Sequence, residues 1–289
     1  MVDIAEDKMN ELPGAERYKK TSADMKKLTV IEKKIKKGDN LIKDDLIFLY
    51  EIDSKIEGFD YRDRRIAELR ATRNTEEDML VVLDCTKERI AHNNSEIAEN
   101  TKAYLGQLEP GIFNTTQEHN IENVYTSFPE GKIRKFEATI GCKTSKQLKL
   151  ELKKKKIEIS GNTEDMLRSK KFTTLNHQEQ ITLVRLKVRD LGFKNGGTTD
   201  EIYTKAKEFG LELCPAEVGP NLRLKYMDQP SGEWLYIAMK QLSGSGGHPR
   251  VFKLERNGAD LWLDDRWAGP GDGWGPDHGF VFALRKLDS

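Results

Sequence analysis

Paired cysteine is missing from this 289-residue sequence. Cys85, Cys142 and Cys214 lie more than fifty residues apart with no CxxC among them. That spacing argues against a disulfide framework and a structural zinc site, and it fits a reducing compartment. Long apolar runs are missing too. The longest, Trp234 to Met239, is far too short to cross a bilayer. The opening residues Met1–Lys8 carry acids where a secretory signal needs an apolar stretch. The expectation is a cytoplasmic protein without a membrane partner. No Walker-type loop, GxGxxG, HExxH or GxSxG occurs, so neither a cofactor nor a metal is expected.

Net charge is also zero, with 48 basic and 48 acidic residues, but the two signs are segregated. Residues 1–38 carry a net +3, residues 39–131 a net −10, residues 132–209 a net +9 and residues 210–289 a net −2. An acidic block followed by a basic one either packs or solvates itself, or offers its basic part to a polyanion.

Hydrophobic spacing divides the chain further. Ile42, Leu46, Leu49, Ile52 and Ile56 recur at threes and fours and predict an amphipathic helix ended by Gly58. A short helix follows near Arg64 to Arg70. Asn74 then caps a helix carrying Met79, Val82, Leu83 and Ile90, and a helical turn or two around Ile97 leads to Tyr104. Residues 106–131 lack periodicity and hold Gly106, Pro110, Gly111, Pro129 and Gly131, which reads as a loop. Ile181, Val184, Val188 and Leu191 read as a second helical stripe. A weak repeat at an offset of about 51 residues relates Ile140–Arg168 to Leu191–Arg223, each copy having a capping box (Thr144 with Gln147, Thr198 with Glu201) and an apolar-Glu-apolar triplet. Leu148, Leu150 and Leu152 alternate as in a strand, against that box.

After Pro220 the texture becomes that of strands: Leu222–Tyr226, Trp234–Leu242, Arg250–Arg256, Ala259–Trp267 and Phe280–Leu287. Asn257-Gly258 is a hairpin signal, and residues 243–249 a looser turn. The expected fold is therefore α+β: a helical N-terminal two-thirds followed by a C-terminal antiparallel module of four to five strands. Its expected divisions are an N-terminal basic arm or helix (1–38), an acidic helical region (39–105), a junction loop (106–131), a basic helical region with the repeat (132–210) and the β-module (211–289).

Three blocks carry a resemblance. They are Leu49-Tyr50-Glu51-Ile52-Asp53 with Ile56-Glu57-Gly58-Phe59, then Tyr125 to Ile133, and Leu211-Glu212-Leu213-Cys214-Pro215-Ala216-Glu217-Val218-Gly219-Pro220-Asn221-Leu222-Arg223-Leu224 with Gly232-Glu233-Trp234-Leu235. Across most of residues 40–289 the chain resembles hypothetical proteins that recur, often as paralogues, in small-genome uncultured bacterial lineages. Some of those insert repeat-like segments near the middle, which makes residues 106–131 a module junction. The resemblance implies no activity and no cofactor.

Five groups of residues bear on chemistry. Cys214 before Pro215 would sit on the positive end of a helix, where a thiol is acidified, and a histidine brought by the fold (His177, His248 or His278) would serve as its base; otherwise it is a small apolar residue at a packed corner. Glu212, Glu217 and Glu233 with Arg223 offer a carboxylate pair beside a cation, or a salt-bridged rim. Lys153, Lys154, Lys155 and Lys156, with Lys143, Lys146, Lys149, Lys170 and Lys171, can meet phosphates without reading bases, or form a solvated helix face. The Ile202, Ala206, Gly210 pattern echoes a helix-turn-helix, but the residues after Pro215 are too few for a reading helix. Most unusual is the stretch from Trp267 to Gly279, with five glycines, two prolines, Asp272, Trp274, Asp277 and His278. Bare backbone there can approach a partner closely and indoles offer flat faces, unless both indoles are tucked onto the sheet. The expected function is a non-catalytic binding or interaction protein for a protein, peptide or carbohydrate ligand. Its recognition surface would use Trp267, Trp274, Asp272, Asp277, His278, Trp234 and Arg223. A hydrolase centred on Cys214, Glu217 and Glu233 is the first alternative, and weak nucleic-acid binding through the lysine run the second.

Overall fold

The computed structural model describes residues 15–58, 64–243 and 246–284. The chain divides into two compact units, residues 1–90 with 127–132, and residues 91–126 with 133–289. Residues 1–14 of the N-terminal arm, two residues of the 243–249 turn and the end of the last expected strand lie outside the described residues.

The first unit contains α1 (Ala15–Lys37), α2 (Lys43–Leu49), α3 (Arg65–Ala71) and α4 (Thr75–Leu83). Leu28 and Ile31 of α1 meet Leu46 and Leu49 of α2, Leu69 of α3 and Val82 of α4 in one core. Asn74 caps α4 by accepting the N–H groups of Glu76 and Glu77 at 3.2 and 3.4 Å, as its position predicts. The apolar stripe that starts at Ile42 outlasts its helix. At Glu51 the backbone turns left-handed (φ +53°), yet Ile52 still reaches the core.

β1 (Ile90–Ala91) falls at the division, and the second unit continues with β2 (Ala103–Leu105), α5 (Ile112–Glu118) and β3 (Asn123–Tyr125). Then come β4 (Lys132–Ile140), α6 (Ser145–Lys154), β5 (Glu158–Ile159), α7 (Gly161–Arg168), β6 (Glu179–Lys187), β7 (Gly197–Thr198), α8 (Thr199–Glu208), β8 (Leu211–Glu212) and α9 (Val218–Lys225). It closes with β9 (Trp234–Ile237), β10 (Leu242–Ser243), β11 (Pro249–Asn257), β12 (Asp260–Trp267), β13 (Gly273–Trp274) and β14 (Gly279–Leu284).

The expectation of a separate antiparallel C-terminal module is wrong. The late strands are part of a 12-stranded mixed sheet, ordered β1-β2-β3-β4-β6-β14-β9-β11-β12-β5, with β8 on β14 and β10 on β11. Its parallel pairs include β2 with β3, β14 with β9 and β12 with β5. Residues 132–210 were expected to be helical, and they supply two of the longest strands. The spacing of Ile181, Val184 and Val188 satisfies a helix, yet Ile181 and Val184 lie in β6 and Val188 opens the 3₁₀ turn that follows it. Within β6 Ile181 alternates with Leu183, and Val184 with Leu186, so both strand faces are apolar. That is the pattern of a strand covered on both sides, which α-periodicity imitates. The reverse holds in α6. Leu148 and Leu152 are fully buried and Leu150 is 54% exposed, so the Thr144–Gln147 capping box prevails over the alternation. Leu222–Tyr226, expected to be a strand, belongs mostly to α9, and the 106–131 stretch holds α5 and β3.

The two repeat copies fold alike. β4 and β6 pair antiparallel; β4 leads to a capped helix (α6), a two-residue strand (β5) and a shorter helix (α7), and β6 reaches the same series (α8, β8, α9) after a 3₁₀ turn and β7. The hairpin of β11 and β12 turns at Asn257-Gly258 as expected, with Asn257 opposite Asp260. Its central residues are Gly258 (φ +60°) and Ala259, and of these two only the glycine is left-handed. One hairpin face buries Phe252, Leu254 and Leu263, with α9 lying against both strands and α7 against β12. Gly219 of α9 meets the Phe252 ring so closely that an added Cβ would stand 2.5 Å from it.

Candidate binding cleft

At the open end of the β11–β12 hairpin the core face gives way to polar residues. Register places Arg250 opposite Trp267 and Phe252 opposite Asp265, so Arg250, Asp265 and Trp267 continue the face that buries Phe252. The Arg250 guanidinium pairs with the Asp265 carboxylate, which also accepts the Ser160 hydroxyl at 3.0 Å. Asp265 is thereby satisfied although nearly buried. Trp267 is 52% exposed. Its ring is held by the His248 imidazole, stacked at 5.0 Å and 24°, and by Arg250, whose guanidinium carbon lies 5.7 Å from the ring centroid.

The glycine-rich stretch builds the other wall. Asp272 folds it by accepting the Gly269 N–H at 2.7 Å, while its own N–H donates to Gly269 carbonyl at 3.0 Å. The loop is tied to the start of α8 by N–H groups of Thr199 and Asp200 donating to the carbonyls of Asp272 and Pro270, and β13 pairs with β7. Between these walls lies an open cleft of about 460 Å³ lined by Arg250, Asp265, Arg266, Trp267, Asp272 and Gly273. Arg266 is exposed and forms no salt bridge with any described residue. Two cations and two carboxylates leave the lining neutral overall.

The expected site residues are dispersed. Trp267 and Asp272 line the cleft. Trp274 is 3% exposed: its indole N–H donates to the Thr199 hydroxyl at 2.8 Å and its ring packs 4.7 Å from both Tyr236 and Phe280. His278 accepts the Gly275 N–H through Nδ1 at 3.0 Å, and burial, then Arg266, hold its pKa below the usual imidazole value. Asp277 is turned to a surface pair with Arg189. Trp234 is exposed on the opposite sheet face, across from Glu255. Arg223 is wholly buried and donates to the Gln229 side chain and to the carbonyls of Tyr226 and Glu255, tying α9 to β11. Burial lowers its pKa to about 10, so it remains a cation. Arg250, Asp265 and Arg266 gave no sequence signal, and His248 entered only as a candidate base for Cys214. Only a hairpin register brings Arg250 and Asp265 to one end, 15 residues apart.

The hydrolase residues occupy structural positions. Cys214 is buried, its thiol donates to Val281 carbonyl at 3.4 Å, and burial pushes its pKa far above the ordinary thiol range. Glu217 is 1% exposed and accepts the N–H groups of Gly141 and Leu175 at 2.9 and 2.7 Å. Glu233 pairs with Arg185 at 2.5 Å and accepts the Tyr226 hydroxyl at 2.7 Å, and Glu212 is exposed. On α6 and the turn after it, Lys153 to Lys156 are exposed. Lys155 donates to Leu224 carbonyl at 2.9 Å, and the other three form no salt bridge among the described residues. No group of three His, Cys, Asp or Glu among the described residues could hold a metal ion, and no described helix is long and apolar enough to cross a membrane.

No protein-family model, curated protein or solved structure matches this chain. The chemistry of the cleft therefore rests on its own geometry.

Proposed function

We propose that this chain is a non-catalytic binding protein whose ligand enters the cleft at the end of the β11–β12 hairpin. One observation carries the reading: Trp267 stays half in water at the cleft mouth, fixed by His248 and Arg250 on a strand whose remaining face is core. A large indole held rigid and wet between fixed donors and acceptors is suited to stacking and hydrogen bonding with a polar, ring-bearing ligand. Asp265 orients Arg250, and Asp272 holds the opposite wall. The paired charges orient a ligand rather than transfer a proton to it, and the Cys214 thiol is too buried to attack one.

A thermal-shift panel of neutral oligosaccharides, dipeptides and mononucleotides tests this. At least one class is expected to raise the melting temperature of the wild type and leave Trp267→Ala unmoved. Equal shifts in both proteins, or none in either, would remove the cleft as the binding site.

A further inference from the structure

A second aromatic surface lies on the other face of the hairpin, and Arg266 belongs both to that face and to the cleft lining. Trp234 of β9 and Trp262 of β12 both stand directly opposite Glu255 of β11, so the three side chains form a row across one sheet face. The indoles are two strand spacings apart, roughly 9–10 Å. Trp234 is 48% exposed and Trp262 partly so. In the next row Lys253 lies opposite Asp264. Its ammonium pairs with Glu255 and Asp264, each at 2.8 Å, and stands 5.6 Å from the Trp234 ring centroid. Trp262, Asp264 and Arg266 alternate along β12 and share that face, and Arg266 also lines the cleft. The strip from Trp262 to Arg266 is about 13 Å long at the ordinary rise of a strand.

We infer that the cleft and this strip form one elongated site for an extended, uncharged oligosaccharide, an assignment that rests on the cleft being a binding site. The charges favour this ligand class. Across cleft and strip together Arg250, Lys253 and Arg266 stand against Asp264, Asp265, Asp272 and Glu255, with Glu158 opposite Trp262, so the site is slightly negative and no positive field draws a nucleic acid. Glu255 is buried and Lys253 nearly so, both held in their pairs, while exposed Arg266 and partly exposed Asp264 offer a donor and an acceptor to hydroxyl groups; the centre of a protein–protein interface is by contrast depleted of charge. Two indoles on one flat face suit the apolar C–H faces of sugar rings, and their separation is bridged by several linked sugars and not by one.

Calorimetry with cello- and malto-oligosaccharides of two to six units tests it, with a neutral hexapeptide and a hexanucleotide as comparators. Affinity is expected to rise about ten-fold or more from the shortest to the longest oligosaccharide of the preferred series. Trp234→Ala and Trp262→Ala should each remove most of that gain while sparing the shortest ligand, Trp234→Phe should retain it, and Trp267→Ala should abolish all binding. Far-ultraviolet circular dichroism and melting of each variant identify any that fail to fold, and Trp234→Phe then carries the comparison. Affinity that is independent of length, or indifferent to Trp234 and Trp262, overturns the elongated site and leaves the cleft. So does binding of the peptide or the hexanucleotide, but of no oligosaccharide, that is lost in Trp267→Ala. If no probe binds in a Trp267-dependent way, the inference and the cleft reading fall together.

Discussion

Trp267 and Trp274 stand at opposite extremes of exposure, 52% and 3%, although both belong to the same glycine-rich stretch. The difference comes from what each indole N–H and ring can reach. Trp274 finds the Thr199 hydroxyl and the rings of Tyr236 and Phe280, whereas Trp267 ends a strand where the core has run out. Trp274→Ala should therefore lower stability by about 3–5 kcal/mol, as a core truncation does, and Trp267→Ala by well under half of that. Urea unfolding of the two variants checks this, and equal losses would put Trp267 in the core. His278 gives the loop a pH dependence. Its folded pKa is depressed, so the unfolded chain binds the proton more readily, and the stability it contributes is present above the unfolded pKa of about 6.5 and lost as pH falls from there through the lower folded pKa. Protonation also removes the Nδ1 acceptor of the Gly275 N–H. Melting temperature should fall between about pH 7 and 5, and His278→Gln should flatten that part of the curve; an unchanged slope in the variant would assign the loss to other groups.

Among the elements, the two capped helices show how a local signal can outrank periodicity. Thr144 accepts the Gln147 N–H and Thr198 that of Glu201, while the Gln147 and Glu201 side chains return to the cap N–H groups. Each box is closed within four residues, so it was legible without tertiary information. Thr144→Ala and Thr198→Ala should each cost about 1 kcal/mol in chemical denaturation, and Thr→Ser at the same positions far less. A larger loss at Thr198 alone would mean that the adjoining loop, tied to Thr199 and Asp200, opens with the helix. β6 shows the opposite case. A strand with neighbours on both edges and helices over its sheet needs apolar residues on both faces, and such a run contains helical spacings by chance. Only its partners β4 and β14, the first of them some 45 residues away, decide it.

At the scale of the whole molecule, the chain enters the first unit twice, through residues 1–90 and again through 127–132. Phe128 returns to that unit's core, its ring 5.5 Å from Tyr50 and edge-on to it. Tyr50 in turn donates to Asp78 at 2.8 Å, and burial first, then that bond, raise its pKa to about 12. Phe128→Ala should raise amide hydrogen exchange around Leu46, Leu49 and Ile52. Protection there at the wild-type level would show that the unit holds without its returning segment. This second entry, like the Arg250–Asp265 pair and the row of Trp234, Glu255 and Trp262, had no local signature.

Local rules were enough for the caps at Asn74, Thr144 and Thr198, for the turn at Gly258 and for the polar, neutral character of the chain, because each depends on neighbours within a few residues or on composition alone. The 12-stranded mixed sheet, the burial of Cys214 and Glu217, the parting of Trp267 from Trp274 and the assembly of the cleft all depend on which distant strands become neighbours. That choice is made by the burial of whole faces against one another, a property of the assembled sheet that no single segment carries.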